Sequence, residues 1–167
     1  MMLLKAVGCI LIIFSCAAIG INHVNNLKNR VLALSETREF VNILKIKMDY
    51  ELCDIPSIFD SLGDKYFIAK NSLLHIKNGY SLKIAWNNSI DEYARKTHLN
   101  SGDISILKDF CICLGQTDIE GQISNLSMYS TLLEKRINEA KSELSDKSKV
   151  IYSTSIFSGL LISIILI

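Results

Sequence analysis

Charge is missing from both ends of this 167-residue chain. No charged side chain lies between Ala6 and Ile21, and none between Val150 and Ile167. A helix crosses the hydrocarbon core of a bilayer with about 20 apolar residues, in a range of roughly 17 to 25. Met1 to Ile21 meets that length with a single Lys5, which can snorkel to the nearby interface. The last 18 residues, from Val150, are short but sufficient, and their Ser and Thr hydroxyls can bond back to the helix's own carbonyls. Two transmembrane helices, 1–21 and 150–167, are therefore expected on either side of a polar domain, 22–149.

That domain holds every acidic residue and every basic one except Lys5, seventeen of each sign, and is formally neutral. Nucleic-acid binding needs clustered cations, so no such partner is expected. At 128 residues the segment is long enough to bury its own core. The five cysteines form no disulfide pattern. Cys9 and Cys16 lie in the first apolar run, Cys53 is isolated, and Cys111 and Cys113 are too close together for a zinc knuckle and have no second pair. Buried thiols in a reducing compartment are expected.

The basic flanks set an orientation. Lys28, Arg30 and Arg38 follow the first span, and Lys135, Arg136, Lys141, Lys147 and Lys149 precede the second. Cytoplasmic flanks carry the excess of Lys and Arg, which places the middle domain in the cytoplasm and both termini outside. A secretory signal is the rival for the N-terminus, with small residues at Cys16-Ala17-Ala18, or a lipoprotein variant at Ile13-Phe14-Ser15-Cys16. Leu3 to Ile21 is long enough to span, which favours an uncleaved anchor. On the last span Ser155, Gly159 and Ser163 recur every four residues, and small residues on one face permit close helix–helix packing in the membrane. Cys16 and Gly20 form a weaker version on the first.

Helical spacing dominates the middle. Leu27, Val31, Leu34, Val41, Leu44, Met48 and Leu52 mark a long amphipathic helix. Asp54-Ile55-Pro56 stops it and starts a short one that closes at Gly63-Asp64. Phe67, Ile68, Leu74 and Ile76 predict the inward face of a third helix, ended by Asn78-Gly79 as a left-handed cap. Ser81 can cap a fourth, with Leu82, Ala85, Trp86, Ile90 and Tyr93 inward. Asp103 is placed to cap a fifth, holding Ile104, Leu107, Cys111 and Leu114. Gly115 to Asp118 breaks the chain, and Asp118 can cap a last helix running from about Ile119 towards the second span. Nothing alternates long enough to require a strand, so the fold class is all-α: a helical-bundle domain flanked by one N-terminal and one C-terminal transmembrane helix.

Catalytic patterns are lacking. His23, His75 and His98 are scattered with no ligand at metal spacing, and there is no nucleophile elbow or Gly-rich phosphate loop. Asp91 and Glu92 are adjacent and point to different helix faces, which suits solvation better than acid–base pairing. No catalytic residue, metal, cofactor or small-molecule substrate is expected. The Asn-x-Ser matches at Asn87 and Asn125 matter only in an exported domain.

Four segments together resemble the stage III sporulation protein AB family of endospore-forming bacteria, in order and over essentially the full length. They are the apolar Leu-Leu-Lys-Ala-Val-Gly opening with the amphipathic helix after it; Gly79-Tyr80-Ser81-Leu82-Lys83-Ile84-Ala85-Trp86; Leu114-Gly115-Gln116-Thr117-Asp118-Ile119-Glu120-Gly121-Gln122; and a helix-borne apolar span with an Ile/Leu tail. The approach to that span, Lys149 to Gly159, departs from the family's usual Lys-Tyr-x-x-Leu-Gly pattern. The resemblance implies a non-enzymatic platform or adaptor in the mother-cell membrane, within the multi-protein, secretion-like channel complex joining mother cell and forespore. Its helical domain would be similar to those of type II secretion inner-membrane platform proteins. The implied partners are polytopic membrane subunits and a cytoplasmic ATPase. Gly115, Asp118, Gln122 and Trp86 are the family-like positions, each a structural turn, cap or core residue or else a partner contact. A membrane-anchored signalling or sensor protein and a lipoprotein-type binding protein are the alternatives.

Overall fold

The computed structural model describes residues 2–51, 54–114 and 119–166. These form six α-helices: α1 (Met2–Glu51), α2 (Ile55–Leu62), α3 (Phe67–Lys77), α4 (Leu82–Thr97), α5 (Ser101–Cys113) and α6 (Ile119–Leu166). Among the described residues there is no strand, in keeping with the all-α expectation. α1 is helical from Met2 to Glu51, so the first apolar run continues into the amphipathic helix without interruption. The chain divides into two compact units, Met1–Asn29 with Glu139–Ile167, and Arg30–Asn138, and both long helices contribute to each.

In the second unit the helix borders follow from local chemistry. Asp54 takes an extended backbone before α2 with proline in the first turn, where its missing N–H costs nothing. α3 ends in a Schellman motif: Gly79 N–H donates to the Ile76 carbonyl and Tyr80 N–H to that of His75, with Gly79 at φ +89°. Ser81 sits at the N-cap of α4, though its side chain makes no cap hydrogen bond. His98 ends α4 at φ 57°, a left-handed conformation uncommon for non-glycine residues but one in which histidine is enriched.

The N-cap of α5 differs from expectation. Asn100 holds that position, and Asp103 is three residues on, completing a capping box. The Asn100 side chain accepts from Asp103 N–H, and the Asp103 carboxylate accepts from Asn100 N–H. Leu74 is a second departure. Expected inside, it is 55% exposed, because α3 packs through Ile68, Ala69 and Ser72 instead. Ala69 and Ser72 are small enough to let α3 lie close against its neighbours, and that rotation turns Leu74 outward.

The core joins every helix of this unit. α1 buries Ala33, Leu34, Thr37, Phe40, Val41, Leu44 and Met48, and α6 buries Leu126, Tyr129, Leu133 and Ile137. A run of ring contacts links them: Phe40 meets Phe59, Tyr66 and Trp86, Trp86 meets Phe110 at 5.1 Å, and Phe110 meets Tyr129 edge-on at 5.4 Å. α1 and α6 are further tied by Arg38 to Glu134 and by Ser130 donating to Asn42.

Candidate functional site

Two features stand out: a helix seam in the first unit, which holds Ser155, Gly159 and Ser163, and a polar cluster in the second. In the seam, Gly159 presses against α1. A Cβ there would stand 3.1 Å from the Ile13 Cα and 3.3 Å from the Cys16 Cβ. One turn away, a Cβ on Gly20 would lie 2.8 Å from the Ser155 Cβ. One turn the other way, the buried Ser163 hydroxyl donates to the Gly159 carbonyl at 2.8 Å and lies 3.4 Å from the Cys9 carbonyl. Ser155, Gly159 and Ser163 thus meet the Cys9, Cys16 and Gly20 face of the same chain. Small side chains are needed at these crossings because the two backbones approach directly.

The outer faces of this pair are the reverse. Ile10, Leu11, Phe14 and Ile19 of α1 and Phe157, Leu161, Ile164 and Ile165 of α6 are exposed. Two segments, Val7–Tyr50 and Ile119–Ile165, are long and apolar enough to cross a membrane, and only 11% of each apolar window is buried. A core helix of a soluble protein would be mostly buried. Apolar residues outside and small or hydroxylated residues inside is the arrangement a lipid-facing helix pair needs.

The second feature was not foreseen. Asp103, with no exposed side-chain surface, accepts from Arg30 Nε at 2.7 Å and Nη2 at 3.2 Å, and from Arg136 Nε at 3.1 Å. Arg136 also reaches the Asn100 side chain. A Cβ on Gly102 would collide with the Arg136 guanidinium, so glycine leaves room for that side chain. Arg30 and Arg136, which the sequence presented as flanking cations, thus join α1, α5 and α6 through one carboxylate. The capping box was legible as Asn100 three residues before Asp103, but that spacing says nothing of the two arginines.

Trp86 is fully buried, and its indole N–H donates to the Leu107 carbonyl at 2.6 Å, tying α4 to α5. Gln122 is half-buried beside Phe110, Asn125 and Tyr129. Gly115 and Asp118 lie outside the described residues. Asp91 pairs with Lys108 of α5, whereas Glu92 turns to Asn71 and His75 of α3, so the adjacent carboxylates do serve different faces. Tyr93 donates to Glu36, and burial, together with that carboxylate's charge, pushes its phenol upward. Burial likewise pushes the Cys111 thiol up to about 11. Cys9, Cys16 and Cys111 are free thiols. Among the described residues no three His, Cys, Asp or Glu side chains gather as metal ligands would.

The family of stage III sporulation protein AB matches residues 5–167. The chain belongs to that family. Its members are stage III sporulation proteins, so the chain has a role in sporulation, and the two lipid-compatible helices associate it with a membrane. Neither a search of curated proteins nor one of solved structures finds a match. The family-like stretch Gly79 to Trp86 spans the Schellman turn, the N-cap of α4 and the tryptophan at the centre of the core.

Proposed function

We propose that the chain is a non-enzymatic assembly platform of a secretion-like channel in the mother-cell membrane during sporulation. The observation that carries this reading is the pairing of the two apolar helices through Gly20, Ser155, Gly159 and Ser163, with apolar side chains facing outward. Such a pair holds a folded helical unit at a bilayer and leaves lipid-facing surface for polytopic subunits. The Arg30–Asp103–Arg136 cluster supports a structural use of buried charge, because its carboxylate is consumed by a cap and two arginines. On this reading the unit of Arg30–Asn138 is cytoplasmic, where a cytoplasmic ATPase is an available partner.

Cys16 lies in the seam, so an uncleaved first helix is part of the proposal. Cleavage before Cys16 would remove the Cys9 and Ile13 contacts with α6. The test is purification from membranes of sporulating cells. The chain should come with other channel subunits and with its first helix intact by mass. Equal recovery from vegetative cells, without companions, would sink the reading.

A further inference from the structure

The polar domain is neutral as a whole, but its charge is unevenly placed. From Lys65 to Ile90 there are four lysines and His75, and no carboxylate. Lys65 is paired with Glu39, and Lys77 meets Asp60 at 3.4 Å with both side chains about two-thirds exposed. Lys70 and Lys83 are exposed. Large apolar side chains surface within the same stretch, namely Leu74, Tyr80 and Ile84. One of them lines a concavity. α3 carries an apolar depression of about 400 Å³ formed by Phe67, Leu73 and Leu74, with Lys70, Asn71 and Lys77 completing its wall.

An exposed leucine alone means nothing. A concave apolar surface walled by Lys70 and Lys77, with Asp60 meeting Lys77 at 3.4 Å and Glu92 turned to Asn71 and His75, fits one chemistry. We propose that this face of α3 docks an acidic amphipathic segment of a partner protein, its apolar side chains entering the depression and its carboxylates meeting Lys70 and Lys77. The concave shape favours inserted side chains over a flat lipid surface, and the cationic wall favours an acidic segment. The proposal rests on the platform reading for there being a partner, and on the geometry of α3 for what that partner presents.

The test uses the full chain in membranes of sporulating cells, with benzoylphenylalanine replacing Leu74 and, for comparison, Met128, an exposed apolar residue of α6. Adducts formed on illumination are mapped by mass spectrometry. Position 74 should give a protein adduct on an apolar segment rich in Asp and Glu, above the yield at position 128. Lys70→Glu with Lys77→Glu should lower that yield about tenfold. Adducts to lipid, to a second copy of the chain or to a segment without excess carboxylates would overturn the proposal. So would a yield indifferent to the double charge reversal. Channel subunits are scored in the same membranes: their recovery without an acidic adduct at position 74 defeats this site alone, and their absence defeats the platform reading.

Discussion

Arg30 and Asp103 stand 73 residues apart in the chain and meet in a two-point contact, 2.7 Å from Nε and 3.2 Å from Nη2, on a carboxylate that has no exposed surface. Breaking a buried pair by removing one member costs about 3 to 5 kcal/mol, since the remaining charge stays in a poorly solvating place. Asp103→Ala should therefore lower the stability of the full chain in detergent by that order. Arg136→Met, at a more exposed position, should cost about 1 kcal/mol or less. Thermal unfolding followed by circular dichroism ranks them, and equal losses would show that the cluster does not act as a buried pair.

Trp86 is the chain's one tryptophan, so its emission reports a single site. Native emission should be blue-shifted, moving red in one transition on unfolding. Trp86→Phe keeps most of the ring packing but leaves the Leu107 carbonyl without the indole donor, and should cost about 1 to 3 kcal/mol. Trp86→Ala adds a cavity, for about 3 to 5 kcal/mol. A native spectrum already at the position of exposed indole would contradict the burial.

The helix seam predicts a bond. Disulfides form where Cβ atoms are about 3.5 to 4.5 Å apart, and a Cβ on Gly159 would be 3.3 Å from that of Cys16. Gly159→Cys should thus oxidise within one chain after a small opening at Ile13, and mild oxidant should remove two alkylatable thiols without forming a dimer. A disulfide-linked dimer on a non-reducing gel would instead place the Gly159 face between copies.

Cys111 should be slow to alkylate in the native chain at pH 8 and fast once unfolded, because burial keeps it a thiol. A folded value near 11, above the 9.0 usual for a thiol, means that the folded state holds this proton more tightly than the unfolded one. Stability is then unaffected by this group below pH 9 and falls as pH rises from there towards 11. Melting temperatures at pH 8, 9 and 10 should show the fall, and Cys111→Ala should flatten part of it. The remainder belongs in part to Tyr93, raised by its burial.

Local chemistry was legible and distant pairing was not. Asp54-Ile55-Pro56 and Asn78-Gly79 mark turns because proline and glycine restrict the backbone wherever they stand, and both borders formed there. The four-residue spacing of Ser155, Gly159 and Ser163 shows a face built for close approach. It cannot show that the opposing face is Cys9, Cys16 and Gly20 of the same chain. Asp103 looked like a cap after Ser101-Gly102, and nothing near it announces Arg30. Leu74 fitted the helical period, yet inward facing is decided by what the neighbours admit, and they admitted Ala69 and Ser72.

The seam also sets a clock. Cys9 and Ser163, which touch across it, are 154 residues apart. At roughly 5 to 20 residues per second, the ribosome needs about 8 to 30 s to deliver the second after the first. Throughout that interval the small face of the first helix has no α6 to meet, while Trp86 and Phe110 can already find each other. The newborn chain therefore passes through a stage with a half-built pair in the bilayer, open to any other helix with a matching groove.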